Sequence, residues 1–288
     1  MPIEPPVVSP RSLSEAYAVI AGAPHRAVAG GTDLLVQITG EIGEPPDRVL
    51  DIWGLDELRG IRLDGDALVL GALTTYTEIR RSPLVGEHLP ALAEAAATIG
   101  AAQIQNRGTI GGNAANASPA GDTLPILLAC DAELVLGSIR GERTVRAGDF
   151  WPAYRETALQ GDELIVRIRV PLPASRQLRF RKVGTRRAQA ISKVVMALAW
   201  QSAAPADPQA AWHDVRLALG SVASTPIRVP RTEALLEGSA PTEETADQAA
   251  AALADEITPI DDVRSTADYR RAVGARVLHR LLRDEGGW

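Results

Sequence analysis

Residues 106–119 of this 288-residue chain read NRGTIGGNAANASP, with three glycines within five positions. Glycine adopts backbone conformations that are closed to other residues and lets the main chain approach a ligand closely. Successive amide N–H groups turned to one side then form a concave nest for an anion. We interpret the stretch as a nest for a phosphate. The alternative is that its glycines mark only a tight turn.

A second glycine segment, AGGTDL, occupies residues 29–34. One nest holds one phosphate, so two nests from separate segments predict a pyrophosphate site, with hydrogen bonds from Thr32, Thr109, Asn113 and Asn116. Neither segment has the Gly-x-Gly-x-x-Gly pattern of a Rossmann fold, and the chain has no Gly-Lys pair for a Walker loop. A dinucleotide bound here would lie outside the Rossmann arrangement.

The sequence around these segments predicts alternating helices and strands. A helix starts at Ser12 or Ser14 and stops at Gly22, and strands follow at 26–29 and 48–52. Further along, we expect strands at 66–73 and 132–136 and helices at 90–99 and 125–129. Residues 102–116 show no clear period.

The pattern changes from residue 163 onward. Alternating apolar residues predict strands at 164–170, 177–183, 193–201 and 212–219, and helical spacing predicts helices at 243–256 and 267–283. We therefore place a domain boundary near residues 171–175. Residues 1–172, with subdomains of about 1–54 and 55–172, form an α/β part, and residues 173–288 form an antiparallel sheet backed by helices.

Composition excludes several classes of function. The net charge of −6 disfavours a role on nucleic acid. No secretory signal and no apolar run of roughly 18 residues occurs, so we expect a cytoplasmic protein without a membrane span. The single cysteine, Cys130, excludes an internal disulfide framework and an iron–sulfur cluster built by this chain alone, and the four histidines show no metal-ligand spacing.

Several motifs in order resemble one family along nearly the whole chain. AGGTDL at 29–34 and RGTIGGN at 107–113 resemble the two FAD loops of the medium subunit of the xanthine dehydrogenase and carbon monoxide dehydrogenase (molybdenum hydroxylase) family. The motifs ASPAGD at 117–122, GDELI at 161–165, KVGTR at 182–186, AQAISKV at 188–194 and DYRRA at 268–272 are also similar to that family.

The resemblance implies an α+β protein with the vanillyl-alcohol oxidase-type (PCMH-like) FAD-binding fold. Two α/β subdomains would hold FAD non-covalently, and a C-terminal domain of antiparallel sheet and helices would follow. The residues that the resemblance assigns to the cofactor are Ala29, Gly30, Gly31, Thr32, Asp33, Leu34, Thr109, Gly111, Gly112, Asn113, Asn116, Asp122, Leu164, Ile165 and Lys193.

The same resemblance implies a role for each group of residues. Residues 29–34 and 111–113 would wrap the pyrophosphate, and Thr109 and Asn116 would bond to phosphate or to the isoalloxazine edge. Asp122 would accept hydrogen bonds from the adenosine ribose. Leu164 and Ile165 would pack on the flavin ring. Lys193 would reach the polar edge of the ring.

The resemblance also implies partners. Members of the family pair such a subunit with a small [2Fe-2S] subunit and a large molybdopterin subunit, and we expect a dimer of such heterotrimers. This chain would pass electrons from the clusters through FAD to NAD, a quinone or oxygen, and it would have no catalytic residue for the organic substrate. The segments at 182–194 favour xanthine or another N-heterocycle. The alternatives are a stand-alone flavin oxidase of the same fold and a non-enzymatic nucleotide-binding module.

Overall fold

The computed structural model describes residues 5–40, 44–173, 175–186, 189–202, 204 and 206–288. Within these residues, three β-sheets follow one another along the chain and define three units. Ala188, which begins one of the quoted motifs, lies outside the described residues.

The first unit is a small parallel sheet with helices. Its elements are β1 (Val7–Val8), α1 (Leu13–Gly22), β2 (Arg26–Val28), α2 (Leu34–Thr39) and β3 (Val49–Asp51). The strand order is β1-β3-β2, with both pairings parallel. The Ser12 side chain accepts a hydrogen bond from the amide of Glu15 and thereby caps α1. Ala16 and Ile20 on the buried side of α1 share a core cluster with Leu50 of β3.

The second unit is a five-stranded antiparallel sheet. Among the described residues, six helices lie between its second and third strands along the chain, and one more precedes its last strand. Its elements are β4 (Ile61–Asp64), β5 (Ala67–Gly71), α3 (Tyr76–Arg81), α4 (Pro83–His88), α5 (Pro90–Thr98), α6 (Ala102–Gln105), α7 (Ile110–Asn116), α8 (Leu124–Ala129), β6 (Glu133–Ser138), β7 (Gly141–Arg146), α9 (Ala147–Phe150) and β8 (Leu164–Pro171). The strand order is β4-β5-β8-β6-β7, so β8 lies at the centre of the sheet although it comes last in the chain.

The third unit is an antiparallel sheet backed by helices. Its elements are β9 (Arg176–Val183), β10 (Val194–Ser202), β11 (Trp212–Gly220), β12 (Ile227–Arg228), α10 (Pro230–Leu236), α11 (Glu243–Glu256) and α12 (Ala267–Gly286). The strand order is β12-β11-β10-β9. Among the described helices, none is both long enough and apolar enough to cross a membrane.

The central strand of the third unit is buried on both faces. Val195 and Ala197 of β10 belong to the core of the second unit, whereas Met196 and Leu198 belong to the core formed with the C-terminal helices. Successive residues of a strand point to opposite faces, so β10 contributes to both cores at once. One face of this sheet therefore completes the core of the second unit, and the other face packs on the C-terminal helices.

Residues 102–116, which show no helical period in the sequence, form α6 and α7. A helix that begins Ile110-Gly111-Gly112 has low intrinsic propensity. Its first turn is held by a cap, because the Thr109 hydroxyl oxygen accepts from the amide of Gly112 at 3.0 Å. Hydrogen bonds to the segment that follows β5 also hold this helix: the amides of Ile110 and Gly111 donate to the carbonyls of Thr74 and Ala72. The sequence pattern also missed β1, β4, β7, β12, α3, α4, α9 and α10.

A buried ion pair joins the second and third units. Lys182 Nζ on β9 lies 2.6 Å from Asp122 Oδ2, and the two side chains are 6% and 8% exposed. The same Nζ donates to the carbonyl oxygen of Thr98 at 3.3 Å. Burial raises the pKa of Asp122, and the positive charge of Lys182 opposes this effect by favouring the carboxylate.

We expect Lys182→Met to lower the free energy of unfolding by about 3–5 kcal/mol, because the substitution leaves a buried carboxylate without its partner. The double variant Asp122→Asn/Lys182→Met should recover much of this loss, since it removes the uncompensated charge. Urea unfolding measures both. Arg280→Met, which removes a surface cation 74% exposed near Asp284, is the control and should cost less than about 1 kcal/mol. Equal losses in the single and double variants would contradict the interpretation.

Candidate functional site

A cavity of about 320 Å³ opens between the first and second units, and the two glycine segments meet in its wall. The Cβ atom that Gly30 lacks would lie 1.7 Å from the carbonyl oxygen of Arg107. A Cβ on Gly111 would lie 2.7 Å from the carbonyl oxygen of Ala72. Only glycine permits these two contacts, so the glycines hold the segments together as well as shaping the cavity.

Most of the residues assigned to the cofactor lie around this cavity. Those that line it are Ala29, Gly30, Gly31, Thr32, Asp33, Leu34, Thr109, Gly111, Gly112, Asn113, Asn116, Leu164 and Ile165. The structure thus brings together residues that are far apart in the chain, since β8 carries Leu164 and Ile165 to the centre of the sheet beside α7.

The first glycine segment presents a run of open amide groups. Gly31 has a φ of +74°, a left-handed conformation that turns the chain after β2. Among the described residues, no group accepts a hydrogen bond from the amides of residues 30–34. Amides in a folded protein normally have an acceptor, and consecutive open N–H groups in such a turn form an anion-binding nest. This segment therefore has the donor set for a phosphate.

The second glycine segment does not form a nest, and this part of the sequence interpretation was wrong. The amides of residues 110–113 are all used inside the protein, by the carbonyls of Thr74, Ala72 and Thr109 and by the Thr109 hydroxyl. The segment is the capped start of a helix. The side chain of Asn113 supplies the donor that the backbone lacks. Its Oδ1 accepts from the hydroxyl of Thr123 at 2.6 Å, so its Nδ2 is left as a donor for a ligand.

A carboxylate, an amide and a guanidinium form a chain at the cavity. Asn116 Nδ2 donates to Asp33 Oδ1 at 2.9 Å, and Arg155 Nη1 donates to Asn116 Oδ1 at 3.0 Å. The carboxylate of Asp33 lines the cavity and is partly shielded from solvent by the surrounding protein. This burial raises the pKa of Asp33, and the positive charge of Arg155 partly opposes the increase. Asn116 therefore orients Asp33 and retains one N–H for a ligand.

Two residues assigned by the resemblance lie elsewhere. Asp122, expected at the ribose, is bound to Lys182 in the buried pair described above and is not among the cavity-lining residues of the described chain. Lys193, expected at the flavin edge, places its Nζ 4.8 Å from the ring centroid of Tyr269. The backbone carbonyl of Lys193 accepts from Arg270. Their contacts with the cofactor stay predictions that this geometry does not support.

Two family models together match most of the chain. Residues 2–173 match the family model described as the FAD binding domain in molybdopterin dehydrogenase. Residues 179–284 match the CO dehydrogenase flavoprotein C-terminal domain. The chain belongs to the FAD-binding medium subunits of the molybdenum hydroxylases. It is therefore a subunit of an oxidoreductase, and the expected fold of an FAD-binding domain followed by an α+β C-terminal domain is confirmed.

Similarity to individual members of the family extends over the full chain. The carbon monoxide dehydrogenase medium chain of Hydrogenophaga pseudoflava is 35% identical over 281 residues, which are 95% of this chain and 94% of the relative. The nicotinate dehydrogenase FAD-subunit of Eubacterium barkeri is 32% identical over 97% of each chain. A solved structure of carbon monoxide dehydrogenase from Hydrogenophaga pseudoflava matches with a TM-score of 0.90 at 33% identity and covers 97% of this chain and 96% of that one.

The donor set of the cavity fits the FAD that the family binds. Open amides at residues 30–34 suit the charge of a pyrophosphate, and Gly112 leaves space beside Ala29 where a side chain would intrude. Leu164 and Ile165 supply an apolar wall of the kind on which a flavin ring packs.

Sequence reasoning missed several residues at the cavity, among them Tyr76, Glu163 and Arg155. Tyr76 and Glu163 line it, and Arg155 bonds to Asn116 near its rim. Tyr76 lies in a helix that the apolar pattern did not reveal. Arg155 stands in an irregular segment with a φ of +57°, and nothing in its neighbouring sequence marks it as special. Glu163 belongs to the family-like motif at 161–165, but that motif assigned only Leu164 and Ile165 to the cofactor.

Glu163 fixes the loop that precedes β8. Its side chain is 3% exposed and accepts from Arg143 Nε and Nη2, each at 2.7 Å. It also accepts from the amide of Gln160 at 2.8 Å. The bond from Arg143 is the main reason that the pKa of Glu163 lies below its usual value. Gln160 and Glu163 both line the cavity, so this carboxylate shapes its wall.

We expect Glu163→Gln to lower the free energy of unfolding by about 1–3 kcal/mol at pH 7, because hydrogen bonds to a buried carboxylate are lost. The folded-state pKa is lowered, so the stabilisation is complete above the unfolded pKa of about 4.3 and is lost as pH falls through the folded value. The two proteins should therefore converge in stability as pH falls from the unfolded pKa through the lower folded-state pKa of Glu163. Chemical unfolding across this pH range measures the difference. Glu142→Gln, at an exposed pair with Arg167, is the control and should have little effect.

Proposed function

We propose that this chain is the electron-transfer subunit of a heterotrimeric molybdenum hydroxylase, and that its cavity holds one non-covalent FAD. Electrons would come from [2Fe-2S] clusters of a small partner subunit and leave to an external acceptor. The observation that carries the proposal is the run of open amides at residues 30–34 in the wall of the cavity. A stand-alone nucleotide-binding module of the same shape would not explain full-length similarity to dehydrogenase medium chains.

The residues around the cavity would divide the work of holding the cofactor. The amides of residues 30–34 would bind the pyrophosphate through the backbone, with Asn113 and Asn116 as neutral side-chain donors. Thr109 would act indirectly, because its hydroxyl oxygen caps α7. Leu164 and Ile165 would pack against the flavin ring and exclude water from one side of it. The bound flavin supplies the redox chemistry, and the protein supplies position and charge.

The organic substrate would be oxidised on a large molybdopterin subunit and not on this chain. Medium chains similar to this one are named for carbon monoxide and for nicotinate, which supports a subunit that serves different substrates without contacting them. We propose xanthine or another N-heterocycle as the substrate class, on the likeness of residues 182–194 to purine-oxidising members and on the nicotinate-oxidising relative. We further propose a dimer of heterotrimers in the cytoplasm.

We expect Gly112→Val to leave the chain largely free of flavin, with an FAD affinity lower by roughly tenfold or more, or about 1.4 kcal/mol. A Cβ at this position would lie 2.8 Å from Thr109 Oγ1, and the valine branches would extend toward Ala29 into the cavity. Flavin absorbance per chain after purification measures the loss. Gly86→Val is the control, because a Cβ there meets nothing within 4 Å. Normal flavin content in the first variant, or flavin that stays with acid-precipitated protein, would contradict the proposal.

We expect the purified single chain with bound FAD to show no bleaching of its flavin absorbance on addition of xanthine or nicotinate. The described residues include no group of three or more His, Cys, Asp or Glu side chains that could hold a metal ion, and the chain has a single cysteine. Bleaching should appear only when the small and large subunits are added. Substrate oxidation by the single chain would instead support a stand-alone flavin oxidase.

A further inference from the structure

Tyr76 is held rigidly at the junction of the two glycine segments. It is the first residue of α3, whose start is fixed by a capping box between Thr75 and Glu78. Its amide donates to the carbonyl oxygen of Gly108 at 3.2 Å. The missing Cβ of Gly108 would lie 2.8 Å from Tyr76 Cε2, so the ring packs directly against the backbone of that glycine.

The ring is buried, but its hydroxyl has no partner. Tyr76 is 3% exposed and lines the cavity, and no group among the described residues exchanges a hydrogen bond with its hydroxyl. The other buried ring donor near α7, Trp151 Nε1, donates to the carbonyl oxygen of Ala114 at 3.0 Å. Because Tyr76 lines the cavity and its hydroxyl is not among the fully buried polar atoms without a partner, we take the hydroxyl to be open to the cavity, where a ligand can accept a hydrogen bond from it.

The hydroxyl remains a neutral donor at every working pH. Burial is the main reason that the pKa of Tyr76 is strongly raised, and the negative charges of Asp33 and Asp122 raise it further. A phenol in this state donates a hydrogen bond and carries no charge that would repel an anion. It is therefore suited to a negatively charged acceptor.

We propose that the Tyr76 hydroxyl donates a hydrogen bond to the pyrophosphate of FAD. The position of the ring supports the pyrophosphate over the flavin ring: Tyr76 packs on Gly108, and a Cβ on Gly30 would lie 3.1 Å from the amide nitrogen of Gly108. Gly30 begins the run of open amides at residues 30–34. Only the backbone of Gly108 therefore separates the Tyr76 ring from the start of the anion nest. This inference rests on the FAD site proposed above.

The test is Tyr76→Phe, which keeps the buried ring and removes only the hydroxyl. FAD and riboflavin affinities of the full-length apo chain are measured by quenching of flavin fluorescence. Riboflavin lacks the pyrophosphate and serves as the matched probe. Because a hydrogen bond to a charged group contributes more than a neutral one, we expect FAD affinity to fall by roughly tenfold or more, with riboflavin affinity unchanged. Thermal unfolding of the apo protein should stay the same or rise.

Tyr17→Phe is the control variant. The Tyr17 hydroxyl is buried without a partner, and it lies against Gly137, away from the cavity lining. This variant should bind FAD as the unchanged chain does. Equal FAD affinity in Tyr76→Phe and the unchanged chain would overturn the inference, and so would an equal loss of FAD and riboflavin, which would assign the hydroxyl to the flavin ring. If the unchanged chain bound no FAD, the proposed function itself would fail.

Discussion

The close contact between two glycine segments is the constraint on which the rest of the structure depends. Gly30 lies against the carbonyl of Arg107, and Gly111 lies against Ala72, at distances that no side chain permits. The first contact joins the first unit to the second, the second contact holds α7 against the chain that follows β5, and a cavity remains between the two units. The cofactor site is therefore a consequence of backbone packing, and its donors are mostly main-chain groups, which any sequence with the right glycines can supply.

The third unit packs against the second unit on the side of the Asp122–Lys182 pair. Its central strand is buried on both faces, and the Asp122–Lys182 pair spans its boundary with the second unit. A shared core of this kind resists relative movement of the units, since interiors are close-packed. The two positions that the family likeness assigns to the ribose and the flavin edge, Asp122 and Lys193, lie in or beside this boundary. In this structure their charged groups are bound to Lys182 and to the ring of Tyr269.

The errors of sequence reasoning have a common physical origin. The helix at residues 110–116 has a glycine pair in its first turn, and its stability comes from a cap and from carbonyls distant in sequence. A pattern of apolar residues cannot reveal such a helix, because the pattern reports local burial only. The same holds for Tyr76 and Arg155. Their roles depend on the position of their side chains at the cavity, which the neighbouring residues in the sequence do not indicate.

Local patterns in the sequence were enough to predict most of the longer strands and helices, the two glycine segments and the family to which they point. These features depend on local periodicity and on positions that only glycine can occupy. The three-dimensional arrangement shows that one segment is an open anion nest and the other a capped helix, because two of the four acceptors for the amides of residues 110–113, the carbonyls of Thr74 and Ala72, come from a distant part of the chain. It also decided that Tyr76 directs an unpaired hydroxyl to the cavity, since hydrogen-bond satisfaction depends on neighbours that the linear sequence does not specify.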